Sequence, residues 1–132
     1  MFNLKKGICF LSTMYFALFT NIASADFTGT WCWDKDNNES VFSIVIHKTK
    51  GIYKGGYYSV TQSGNRIDDN DTAFAFNTMQ KTVQTKIKAG ITGNIGLIQL
   101  KILNDKIINW QVIQHPKGEM FVPKAALLHR CN

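Results

Sequence analysis

Apolar and polar positions alternate with a period of two along most of this chain. Successive side chains of a strand point to opposite faces, so that period marks strands with one buried face. Phe27 to Trp33 opens the series, with Phe27, Gly29, Trp31 and Trp33 on one face. Val41 to His47 follows, sending Phe42, Ile44 and Ile46 one way and Val41, Ser43 and Val45 the other. Lys48 to Gly51 reads as a hairpin connection. A third strand over Ile52 to Val60 is interrupted by Gly55-Gly56, the mark of a bulge or a close backbone approach. Ser63-Gly64-Asn65 is a turn, and Arg66-Ile67 leads from it into an acidic loop, Asp68-Asp69-Asn70-Asp71. Strand patterning returns over Thr72 to Asn77, Thr82 to Lys88, Ile95 to Leu103 and Lys106 to Gln114, separated by turns at Ala89 to Asn94 and Asn104-Asp105. After His115 to Gly118 the pattern predicts a short edge strand at Met120 to Val122, then a helical turn from Pro123 to His129.

No segment carries the long 3.6-residue period that a βαβ unit needs. Sheet faces must therefore be buried against other sheet. The expected fold is all-β, a small antiparallel β-barrel or a compact β-sandwich of about seven or eight strands with a short C-terminal helical turn. The hairpin order favours the barrel.

The N-terminus departs from this pattern. Lys5-Lys6 precedes a mostly apolar run from Ile8 to Phe19, and Ala23-Ser24-Ala25 has the small-x-small form of a cleavage site. Residues 1–25 thus read as a secretory signal peptide, leaving a single domain over residues 26–132. A membrane span needs about 20 apolar residues; this run is shorter and carries Ser12 and Thr13. No stable membrane insertion is expected, and the destination is periplasmic or secreted.

Removing that leader changes the cysteine and charge counts. Of the three cysteines, Cys9 is lost, and Cys32 and Cys131 remain to form one disulfide that encloses nearly the whole domain. Such a bond requires the first strand and the C-terminus to lie within about 7 Å between Cα atoms. Of 15 Lys and Arg, Lys5 and Lys6 lie in the leader, so 13 face 9 Asp and Glu and the charge falls from +6 to +4. Lys81, Lys86, Lys88, Lys101 and Lys106 recur on polar strand faces and could gather into a basic face. No RRM, KH or clear OB signature accompanies them, so no nucleic-acid partner is expected.

Candidate chemistry is sparse. Asp34, Asp36 and Asn38 resemble the start of a calcium loop, yet Glu39 stands where that loop needs glycine and Val45 where it needs a bidentate carboxylate. His47, His115 and His129 have no zinc-site spacing, and no GxSxG elbow frames a serine. No metal, cofactor or catalytic residue is expected. Aromatic residues offer more: Tyr and Trp combine apolar contact area with a polar tip and are enriched at binding surfaces. Trp33, Tyr57 and Tyr58, with the neighbouring Arg66, Asp68, Asp69 and Asp71, are the candidate partner-binding residues.

In its size, export signal and single disulfide the chain resembles periplasmic lysozyme inhibitors and the immunity proteins that neutralise toxins delivered between bacteria. The resemblance implies a non-catalytic protein-binding module that occludes a partner enzyme or toxin. Lysozymes are usually basic, so the charge of +4 suits an acidic or neutral target better. Two alternatives remain open at this point: a small-ligand or metal-binding barrel of the bacterial envelope, and a secreted effector or envelope-maintenance protein.

Overall fold

A computed structural model describes residues 26–33, 40–61 and 64–131. The leader expected at residues 1–25 and the calcium-like stretch at 34–39 lie outside the described residues. Among the described residues the chain forms β1 (Gly29–Trp33), β2 (Val41–Thr49), β3 (Ile52–Thr61), β4 (Arg66–Phe76), β5 (Thr82–Lys88), β6 (Ile95–Ile102), β7 (Ile107–Gln114) and β8 (Ala125–Arg130). All pairings are antiparallel, in the order β4-β3-β2-β1-β8-β7-β6-β5. The fold is all-β, a nearly closed up-and-down barrel.

Pairing of the first and last strands, β1 with β8, holds the two halves together. The remaining seam lies between β4 and β5, where side chains replace the ladder. Thr85 Oγ1 donates to the Ala75 carbonyl at 3.0 Å, and Asn70 Nδ2 donates to the Lys88 carbonyl at 2.9 Å. Each satisfies a backbone acceptor that an edge strand leaves open.

Period-two faces turn inward as patterned. Phe42, Ile44, Ile46, Ile98, Leu100, Ile108 and Leu128 fill the interior, and each fully buried side chain contributes about 1.5–3 kcal/mol. Trp31 and Trp110 are fully buried, and their indole nitrogens donate to the carbonyls of Phe27 and Pro123. Aromatic rings meet edge to face, Phe27 against Tyr53 and Phe76, and Phe42 against Trp110 at 4.8 Å. The β2–β3 hairpin closes through Lys50 and Gly51, both at positive φ, the backbone of a two-residue type I′ turn.

Cys32 and Cys131 are bonded, with Cα atoms 5.8 Å apart across a sequence separation of 99. Beside them the Arg130 guanidinium lies 4.2 Å over the Trp31 ring and donates to the carbonyls of Thr28 and Asp105.

Three segments differ from the sequence pattern. The expected helical turn at Pro123 to His129 is instead strand β8, with Ala126 and Leu128 buried and Leu127 exposed. A single helical turn leaves its end groups unpaired, whereas this segment finds ladders on both sides, with β7 and β1. Met120 to Val122 is irregular rather than an edge strand, because the Phe121 N–H donates to a carboxylate. Asp68 to Asp71, expected as an acidic loop, lies within β4, which already begins at Arg66.

Candidate functional site

Strand β4 acquires its unusual shape from the two glycines facing it. Pairing passes from Gly55 opposite Phe74 to Tyr57 opposite Asn70, so Asp71, Thr72 and Ala73 bulge against Gly56 alone. A Cβ on Gly55 would lie 2.3 Å from the Phe74 ring, and one on Gly56 would lie 2.5 Å from the Asn70 carbonyl oxygen. The bulge is capped where the Thr72 N–H donates to Asn70 Oδ1 at 3.1 Å. The register slips by two residues, an even number, so inward and outward faces are preserved on both sides. That parity decides where each candidate partner-binding residue goes.

Asp68 and Tyr57 point inward, 1% and 3% exposed. The Tyr57 hydroxyl donates to Asp68 Oδ1 at 2.9 Å and accepts the Gly90 N–H at 2.9 Å. The other carboxylate oxygen of Asp68 accepts the Phe121 N–H at 2.9 Å. Four separate segments are joined at one end of the barrel by this network. Burial pushes the Tyr57 phenol above the usual tyrosine range; the Gly90 N–H opposes this, while Asp68 and Asp69 add to it. The folded chain therefore keeps that proton where an unfolded chain releases it. The stabilisation is complete below the ordinary tyrosine pKa of about 10 and is lost as pH rises from there through the raised folded value.

Tyr58, Asp69 and Asp71 point outward. Cross-strand register places Ser43, Tyr58 and Asp69 in one row, with Val41, Val60 and Ile67 in the next row on the same face. Val41, Val45 and Ile67 are more than half exposed, and Tyr58 is 45% exposed. This face thus joins an aromatic ring and aliphatic side chains to two carboxylates. Arg66 is exposed at the strand end, its guanidinium 5.0 Å over the Phe121 ring. Trp33 is half-buried against the core, at the same end of the barrel as Phe121. The structure brings together Tyr58, Asp69 and Asp71, and it separates Tyr57 and Asp68 from them by the thickness of the sheet. Alternation likewise keeps Asp68 away from Asp69 and Asp71, so the acidic run does not converge on one cation.

Among the described residues, depressions lie beside several of these side chains. A groove of about 540 Å³ lies over the β4/β5 seam, with His47, Lys54, Asp71, Phe74, Lys86 and Lys88 in its lining. A second, of about 320 Å³, is lined by Ser43, Val45, Gly56 and Tyr58 and shares His47 and Asp71 with the first. A third, of about 340 Å³, opens at the barrel mouth between Trp33, Val41, Ser59, Met120 and Phe121. Ser59 is 1% exposed there, and its hydroxyl has no hydrogen-bond partner among the described residues.

Lys86 and Lys88 were legible as outward residues of β5, but Lys54 and His47 were not linked to them. They come from β3 and β2 and meet β5 only across the seam. No local pattern encodes such a meeting.

The chain thus belongs to the class of small up-and-down antiparallel barrels whose interiors are filled by their own side chains. No protein family, characterised protein or solved structure gives a significant match to it.

Proposed function

We propose that this chain is an exported, non-catalytic protein-binding module that acts by covering the working surface of a partner enzyme or toxin. One observation carries the reading: the Tyr58 face presents exposed aromatic and aliphatic side chains on a rigid sheet, beside the carboxylates of Asp69 and Asp71. Rigid aromatic anchors give contact area at little entropic cost. In this proposal Tyr58, Asp69 and Asp71 make the contacts, Arg66 and Trp33 lie at the rim, and Tyr57 and Asp68 support the strands from within. Export is supported by the leader pattern and by the Cys32–Cys131 bond, which an oxidising compartment maintains.

The test uses the disulfide-bonded mature protein as bait in envelope and culture fractions, followed by titration with the captured protein. Tyr58→Ala is expected to weaken that complex by about 1–2 kcal/mol, roughly five- to thirty-fold, with an unchanged melting temperature. Capture that is indifferent to Tyr58→Ala and to Asp69→Lys would sink the reading.

Small-ligand binding is a second reading, favoured by Ser59. A buried hydroxyl without a partner costs about 1–3 kcal/mol, and this one lines an aromatic mouth of the barrel. A compact apolar molecule with one hydrogen-bonding group fits that chemistry. Native mass spectrometry of protein purified from its source is expected to show a bound small molecule that Ser59→Val displaces. Ligand-free protein in that spectrum would count against this reading.

A further inference from the structure

We infer that the groove over the β4/β5 seam receives an extended, acidic segment of the partner polypeptide. The inference rests on the protein-binding reading above and adds the partner's chemistry and shape. Three features of the groove carry it.

The first is charge. Lys54 stands on one bank, on β3, and Lys86 and Lys88 stand on the other, on β5, with His47 alongside. Asp71 is the acidic residue in this lining, and among the described residues no salt bridge ties Lys54, Lys86 or Lys88 to a carboxylate. Three ammonium groups around one concavity repel each other and raise the local concentration of anions.

The second is spacing. Lys86 and Lys88 are two residues apart on the outer face of β5. Two strand residues span about 6.6 Å, so carboxylates at alternate positions of an extended peptide match their repeat. An acidic block with adjacent carboxylates sends half of them to the wrong face.

The third is the β4 lining. Ala73, Phe74 and Ala75 of β4 line the groove between the strands that carry the lysines. Small side chains let a peptide backbone approach the seam, where β4 and β5 lack a shared ladder. Thr85 and Asn70 already bridge the seam, so the segment lies over the two edges rather than between them.

The experiment measures binding of a labelled ten-residue peptide alternating glutamate and threonine to the disulfide-bonded protein at low salt. A peptide of the same composition with its glutamates in one block, inorganic pyrophosphate, and vesicles containing phosphatidylglycerol serve as the other arms. The alternating peptide is expected to bind best and to weaken as salt is raised. Lys86→Gln combined with Lys88→Gln should lower its affinity about five- to ten-fold. Lys101→Gln combined with Lys106→Gln, exposed positions outside the groove, should change it less than about two-fold. No peptide binding, equal loss in the two double variants, or equal binding of the block peptide would overturn the inference. So would binding of pyrophosphate or vesicles in preference to the peptide. A captured partner that depends on Tyr58 yet binds the Lys86/Lys88 double variant normally would leave the protein-binding reading standing and remove this inference alone.

Discussion

Replacing Cys32 and Cys131 together with serine is expected to remove about 4–5 kcal/mol of stability. The bond spans 99 residues, and in the chain-entropy account a cross-link acts by restricting the unfolded state, more so the longer the loop it closes. Domains of this size are stabilised by only about 5–15 kcal/mol in total, so the serine variant is expected to be marginal. Urea unfolding of the oxidised and reduced wild type and of the double variant measures this directly. The structure also contains a competing effect. The β1–β8 ladder, Arg130 over Trp31, and the Cys131 N–H donating to the Thr30 carbonyl already hold the two ends together. Those contacts act in the folded state and do not constrain the unfolded one, so they do not replace the bond. Reduced and oxidised proteins within about 1 kcal/mol of each other would show that the unfolded chain keeps its ends close without it.

Asp68→Ala is expected to follow closely, with a loss of about 2–5 kcal/mol. The substitution strands the buried Tyr57 hydroxyl and the partly buried Phe121 N–H, and opens a small void beside them. Asp68→Asn retains an acceptor for one of the two donors but turns an amide N–H towards the other, so a smaller loss is expected. Chemical denaturation gives the size of the loss, and hydrogen exchange locates it. The Phe121 amide should lose protection in both variants while the ladder amides of β6 and β7 exchange through global unfolding. A Phe121 amide that stays protected in Asp68→Ala would show that this bond does not hold the 119–123 segment in place.

Much of this architecture was legible in local pattern. Strand β5 falls on the predicted residues Thr82 to Lys88, because its polar and apolar positions alternate without a glycine or proline to break them. Glycines at 55 and 56 marked the bulge, since only a residue without a Cβ fits against Phe74 and the β4 backbone. The acidic run misleads for a physical reason. Locally, Asp and Asn favour turns because their side chains compete for backbone groups. Here the donors that satisfy Asp68 come from Tyr57 and from Phe121, the latter 53 residues away. A carboxylate with two such partners can be buried in a strand, and nothing nearby in the chain announces them. Pro123 misleads in the same way. Its fixed φ suits the first turn of a helix, but its carbonyl receives the Trp110 indole N–H and the chain beyond it pairs on both sides.

By itself, then, the sequence determined that the domain is all-β, where most strands run, and that Cys32 and Cys131 are a pair. These follow from side-chain alternation, glycine sterics and counting, all of which are local or combinatorial. Only the tertiary structure decided between barrel and sandwich, left the seam between β4 and β5, sent Tyr57 and Asp68 inward while Tyr58, Asp69 and Asp71 faced out, and set Lys54 across from Lys86 and Lys88. Each of those outcomes depends on strands distant in sequence settling into one register, and a side chain's face is fixed only when that register is.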